Sequence, residues 1–242
     1  MTAIVFLTRI PVPVKGSDDA GALVKSVWAF PIAGLLIGLI GGITFSIAAN
    51  FALNSWLAAF LAIGTTALAT GGLHEDGLSD FFDGLWGGFS PERRLEIMRD
   101  SNIGGYGALA LIIATGLKVS SLASINLDFV IPSLVAAHAL SRGVLPIIMN
   151  QLKTAGQPGL AASVGKPDKT LSLIALLIGV ALTLALLGPT AGLSALILTG
   201  IIIFGMMKLA QYKLGGYNGD TLGAIQQICE IAVLICCSAQ FA

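Results

Sequence analysis

The sequence predicts an all-α, polytopic membrane helical bundle of about seven transmembrane helices, with the N-terminus in the cytoplasm. Three observations predict it. Of the 242 residues, 55% are hydrophobic and 11% charged, whereas soluble domains carry roughly 25% charged residues. Apolar stretches of about 20 residues, enough for a helix to cross the hydrocarbon with its backbone groups paired internally, recur along the chain. The basic residues gather in alternate connections between those stretches.

Taken in order, the predicted spans cover 27–50, 55–73, 105–124, 130–150, 171–188, 191–209 and 222–241. The first carries glycine at 34, 38, 41 and 42, a spacing that suits close helix packing in lipid. Residues 1–19, with Pro11 and Pro13 interrupting a short apolar run, read as a lead-in near the interface and not as a signal peptide. Arg9, Lys15 and Lys25 precede the first span. Arg93, Arg94 and Arg99 follow the second, Lys153, Lys166 and Lys169 follow the fourth, and Lys208 and Lys213 flank the sixth connection. The positive-inside rule places these segments in the cytoplasm. The chain reads as one integral membrane domain, 1–242, whose cytoplasmic loops cover about 74–103, 151–170 and 209–221. The expected location is the cell (inner) membrane of a bacterium or archaeon, with the active site facing the cytoplasm and lipid around the bundle. A net charge of zero gives no nucleic-acid signature. Homo-oligomerisation is left open. Cys229, Cys236 and Cys237 fall in the last apolar segment without metal or redox spacing and read as packing residues.

The loop 74–103 holds seven of the thirteen acidic residues. On a helix Asp76, Asp80 and Asp83 stand at i, i+4 and i+7 and share a face. Their mutual repulsion calls for a cation, and hard divalent ions take carboxylate oxygens. Mg²⁺ is the expected cofactor, with Mn²⁺ as the substitute; Asp76, Asp80 and Asp83 are the first choices as ligands and Glu75 the next, because it points off that face. His74 reads as a ligand, a proton-handling group or a satisfied interfacial histidine. Arg93, Arg94 and Arg99 are phosphate candidates through their guanidinium forks, or surface partners of Glu92 and Glu96. Asp100 and Ser101 precede "IGGYG" at the mouth of the third span, where a helix N-terminus favours an anion. Gly219 and Asp220 stand in "GGYNGD" before the last span, with Asp220 also a candidate N-cap. Arg142 and Glu230 lie about 12–15 Å inside their spans at 1.5 Å per residue. Ionisable groups at that depth pair or line a cavity, so the two are expected to meet, or jointly to line a polar substrate pocket above the metal site. Lys118 is expected to snorkel outward and His138 to pack. Carboxylates, arginines and glycine turns together suit phosphoryl transfer at a membrane surface.

"FLTRIPVP", "GGLHEDGLSDFFDG", "EIMRDSNIGGYG" and "GGYNGDTLGA" with Glu230 resemble, in that order, the motifs of the cobalamin synthase (adenosylcobinamide-GDP ribazoletransferase) family over nearly the full chain. Two positions depart from the pattern: Asn102 stands where a basic residue is expected and Asn218 where Thr is. The resemblance implies a Mg²⁺-dependent enzyme that joins adenosylcobinamide-GDP to α-ribazole or its 5′-phosphate, releases GMP and yields adenosylcobalamin or its phosphate. It maps the family's motif acids to Glu75, Asp76, Asp80 and Asp83 and its glycine-aspartate turn to Gly219 and Asp220. Two rivals fit less well. A CDP-alcohol-type phosphotransferase needs a D-G-x₂-A-R core followed by a further glycine and two more aspartates; "DGLSDFFDG" opens with Asp-Gly, but Phe81 and not Arg follows Asp80, and the intervals are too short. An ion-coupled transporter needs its acids near the bilayer midplane, and most of these lie in loops.

Overall fold

In the computed structural model, residues 1–11, 20–156 and 165–242 are described. They form helices α1 (Thr2–Leu7), α2 (Ala20–Ser26), α3 (Phe30–Asn50), α4 (Ser55–Thr70), α5 (Leu73–Gly87), α6 (Pro91–Ile97), α7 (Gly105–Ser124), α8 (Leu127–Gly143), α9 (Leu145–Gln151), α10 (Lys169–Leu214) and α11 (Gly219–Phe241). Lys15 and residues 157–164 of the second cytoplasmic loop lie outside the described residues. Five runs are long and apolar enough to cross a membrane: Gly21–Asn50, Gly105–Ser124, Leu127–Gln151, Lys169–Leu214 and Gly219–Phe241. The pair α4 and α5 qualifies as a sixth, bent by 91°. Exposed Leu68, Ile112, Ile201 and Phe204 lie on these helices, as expected of lipid-facing surface, and the chain is an integral membrane protein.

Two breaks shape the bundle. At 1.5 Å per residue the 46 residues of α10 would outreach the roughly 30 Å hydrocarbon core about twofold. Gly188 interrupts it with φ 71° and ψ 178°, followed by Pro189. A Cβ on Gly192 would lie 3.3 Å from the Leu184 Cα, so the chain doubles back into a hairpin. The second break follows α4, where Gly71 (φ 67°) and Gly72 (φ 69°) both adopt the left-handed conformation that glycine takes without a steric penalty. The expected span 55–73 runs through this glycine pair, which instead ends α4 at Thr70 and starts α5 at 91° to it.

Close packing fixes the centre. A Cβ on Gly34 would overlap the His138 carbonyl, and one on Gly38 would stand 2.6 Å from the Val135 Cα. The expected small-residue stripe therefore holds α3 backbone-to-backbone against α8. Phe45, Leu122, Leu134, Leu140 and Leu234 fill one core. A second core joins Ala3 and Leu7 of α1 to Phe30, Leu145 and Ile225, so the start of the N-terminal lead-in is packed into the bundle.

The ends of the helices sort into two groups. At one end Tyr217 donates its N–H to Lys153 O (2.9 Å) and accepts from Ala155 N (2.7 Å). Arg94 reaches Lys213 O, and Arg99 lies beside Gly156. At the other, Asn126 N donates to Phe241 O (2.8 Å) and Phe129 stacks on Phe241 with centroids 4.3 Å apart. The three loops assigned to the cytoplasm by charge thus meet at one end of the molecule.

Candidate active site

The acidic helix α5 is amphipathic. Leu78 and Phe81 are buried with Met98, Leu214, Ala224 and Ile231, and Asp76 and Asp80 stand on the opposite, more open side. Where α5 crosses α11, a Cβ on Gly77 would lie 3.2 Å from the Asp220 and Gly223 Cα atoms. Glycine facing glycine lets the two backbones touch and brings Asp220 to the acidic face. The last helix is capped by Asn218, whose Oδ1 accepts from Thr221 N (2.9 Å) and from Thr221 Oγ1 (2.8 Å). Capping therefore falls to Asn218 and not to Asp220, and the Asn218 amide donates to Asp220 Oδ2 at 2.7 Å. Burial first, and then the charges of Asp76, Asp220 and Asp83, push the Asp80 carboxyl up to about 7. Four carboxylates repelling one another is the electrostatic signature of a site short of positive charge.

Two of the expected ligands have other partners. Asp83 Oδ2 accepts from Gly104 N (2.7 Å) and Oδ1 from Gly107 N (2.8 Å). Asp83 is thus itself the anion at the N-terminus of α7, and a Cβ on Gly104 or Gly107 would overlap it. Gly104 and Gly107 of "IGGYG" make room for that carboxylate. Glu75 points inward, with Oε1 accepting from Gln227 Nε2 (3.1 Å) and lying 3.6 Å from Lys118 Nζ. Among the described residues no three His, Cys, Asp or Glu side chains converge closely enough to hold a metal ion. The donors left are Asp76, Asp80 and Asp220. Their all-oxygen chemistry and mutual repulsion fit a hard divalent cation, with side-chain rotation needed to close the set.

The arginines separate clearly. Arg93 pairs with Glu96 at 2.6 Å on the surface. Arg94 is buried, donates to Leu85 O and Lys213 O, and ties α6 to α5 and α10. Arg99 lines a cavity of about 340 Å³ together with His74, Asp76, Asn218, Gly219 and Asp220. Asp100 is exposed and accepts from Asn102 N (3.1 Å) and Nδ2 (2.7 Å), bonds that hold its carboxyl below the usual carboxylate range. Ser101 is exposed beside it, and neither lines the cavity. The Asn102 departure thus makes a local turn. His74 is buried with Nδ1 unpartnered.

Behind His74 lies a buried polar network. Glu230 Oε2 stands 2.9 Å from His138 Nδ1, 3.6 Å from Arg142 Nη1 and 2.6 Å from Gln226 Nε2, and Oε1 stands 3.0 Å from Lys118 Nζ. Arg142 and Glu230 meet, as their depth predicts. Lys118 does not snorkel: its side chain is 3% exposed, because Glu75 and Glu230 lie within its reach. His138 joins the network as well. The sequence reading missed Gln226, Gln227 and Ser141 here, although two adjacent glutamines in an apolar span are themselves a signal. It also gave no role to the cavity wall, Phe6, Leu7, Phe30, Leu145, Met149 and Leu222.

The chain matches, over residues 1–238, the family described as cobalamin-5-phosphate synthase. Among its relatives are the adenosylcobinamide-GDP ribazoletransferases of Bradyrhizobium diazoefficiens and Mesorhizobium japonicum, each 44% identical over 97% of this chain and 90% of the relative. That of Brucella canis is 39% identical over 95% of this chain and 92% of its own length. No solved structure matches. With a family match over almost its whole length, the chain belongs to the cobalamin-5-phosphate synthase family of membrane enzymes.

Proposed function

We propose that this protein is an adenosylcobinamide-GDP ribazoletransferase working at the cytoplasmic face of the cell membrane. A ribose hydroxyl of α-ribazole, or of its 5′-phosphate, bonds to the phosphorus carried by the cobinamide. The phosphoanhydride bond breaks, GMP leaves with the electron pair, and the hydroxyl loses its proton. The observation that carries this reading is one cavity lined together by Arg99, His74, Asp76 and Asp220.

Arg99 binds and orients the diphosphate through its guanidinium donors. Asp76, Asp80 and Asp220 are the residues that would hold Mg²⁺ or Mn²⁺, which when bound neutralises diphosphate charge. Asp83 keeps α7 docked on α5, and the Asn218 cap keeps Asp220 aimed at the mouth. His74, at the cavity wall with its Nδ1 unpartnered, is placed to take a hydrogen bond from the attacking hydroxyl. Cytoplasmic placement is supported by the clustering of the three basic loops at this end, by the positive-inside rule. The protein purified in detergent and supplied with adenosylcobinamide-GDP, α-ribazole and Mg²⁺ should release GMP in step with cobalamin. Well-folded protein that releases none refutes the assignment.

A further inference from the structure

The described start of the motif "FLTRIPVP", Phe6 to Arg9, is tied to the bundle by backbone and side-chain contacts. Arg9 N donates to Ala69 O at 2.7 Å, and the Arg9 side chain packs over Gly71. This anchors α1 beside the end of α4, with Phe6 and Leu7 in the cavity wall. Phe6 stacks on Phe30, ring centroids 6.2 Å apart and planes at 17°. Leu145, Met149 and Leu222 complete the apolar part of the cavity lining, an inner wall in the sense that Leu7, Phe30, Leu145 and Met149 are each at most 4% exposed.

Resting on the function proposed above, we propose that this inner wall is the subsite for the benzimidazole base of α-ribazole. The two substrates bring three bulky parts to the site. The corrinoid macrocycle, rimmed with amides, is far larger than a cavity of about 340 Å³. Guanine carries donors and acceptors along two edges, and burying them against leucine, methionine and phenylalanine side chains leaves them unpaired. The dimethylbenzimidazole is a flat, mostly apolar bicycle with two methyl groups. Phenylalanine rings and a methionine thioether are favourable neighbours for such a ring. With the base in the inner wall, its ribose lies at the mouth, beside His74 and Arg99 where the phosphorus is to be attacked. The N-terminal motif is then a specificity element for the acceptor.

The test uses the full-length enzyme with three acceptors: α-ribazole, its analogue lacking both methyls, and the α-riboside of adenine. Loss of two buried methyl groups is expected to lower kcat/KM about tenfold, and the polar purine about a hundredfold or more. Phe6→Ala, which removes one ring of the wall, is expected to raise the acceptor KM severalfold, to leave the adenosylcobinamide-GDP KM within about twofold, and to flatten the preference for the methylated base. A structural lesion alone would lower kcat without changing that preference. Wild-type turnover that is indifferent to the methyls overturns the subsite and leaves the transferase reading standing, as does a Phe6→Ala effect confined to the donor KM. Absence of GMP release with every acceptor defeats the transferase reading itself, and this inference falls with it.

Discussion

Replacing Lys118 by Met removes one ammonium from a site that contains two carboxylates and two cations. Lys118 Nζ stands 3.0 Å from Glu230 and 3.6 Å from Glu75, and the Lys118 and Glu230 side chains are 3% and 1% exposed. The variant leaves Glu230 with Arg142 and the His138 imidazole and strips Glu75, 26% exposed, of its ammonium, one uncompensated negative charge at the network. Breaking such a buried pair costs about 3–5 kcal/mol. At about 2–4 °C per kcal/mol for a chain of this size, Tm should fall by roughly 10 °C in detergent, followed by tryptophan fluorescence or circular dichroism. Adding Glu230→Gln to Lys118→Met restores the count of charges and keeps a hydrogen-bonding amide beside Gln226. The double variant should regain at least half of the loss, a coupling of about 2 kcal/mol. A single-variant loss below about 1 kcal/mol, or strict additivity of the two changes, would refute the charge-balance argument.

Other expectations follow from single contacts. Asp83→Ala leaves the Gly104 and Gly107 N–H groups without their acceptor, so it should cost about 1–2 kcal/mol by loss of the cap; unchanged thermal stability would contradict that role. Arg99→Ala should raise the KM for adenosylcobinamide-GDP at least about tenfold, whereas Arg93→Ala, which loses only an exposed pair, should stay within about twofold. Steady-state kinetics on both variants decide this. Asp80 is pushed up to about 7, so the folded chain holds its proton more tightly than the unfolded one. That stabilising contribution is fully present below about pH 4 and is lost as pH rises through about 7. Millimolar Mg²⁺ should therefore raise Tm more at pH 8 than at pH 6, and an equal shift at both would argue against a cation on Asp80.

The helical membrane class was legible because it rests on bulk properties. Apolar run length and the placement of Lys and Arg depend on the bilayer, not on packing detail. The acid cluster was legible too, since 76, 80 and 83 share a helical face in any context. What the spacing did not reveal is which carboxylates have partners from elsewhere in the chain. Asp83 belongs to the acidic face by period, yet two backbone N–H groups 21 and 24 residues further on engage it. Glu75 is drawn inward by a lysine on a different helix. Asp220 joins the cluster only because Gly77 and Gly223 let α5 and α11 touch. Each is a long-range contact, and periodicity carries information about one element at a time.

The left-handed pair Gly71 and Gly72 connects these observations. Had α4 run on straight, Asp76 and Asp80 would have moved away along its axis, and α5 would not cross α11. The 91° turn lays the acidic helix over the start of the last helix and leaves a hollow beneath its first turn, where His74 and Leu73 line the wall. The same turn exposes the end of α4 to the N-terminal segment, whose Arg9 N–H bonds Ala69 O. One bend at two glycines therefore places the carboxylates at the mouth and seats the apolar wall contributed by α1. A substitution such as Gly71→Ala meets a positive φ and the Arg9 side chain together. It should damage acceptor binding as well as phosphate chemistry, and a purely catalytic defect would separate the two halves of the site.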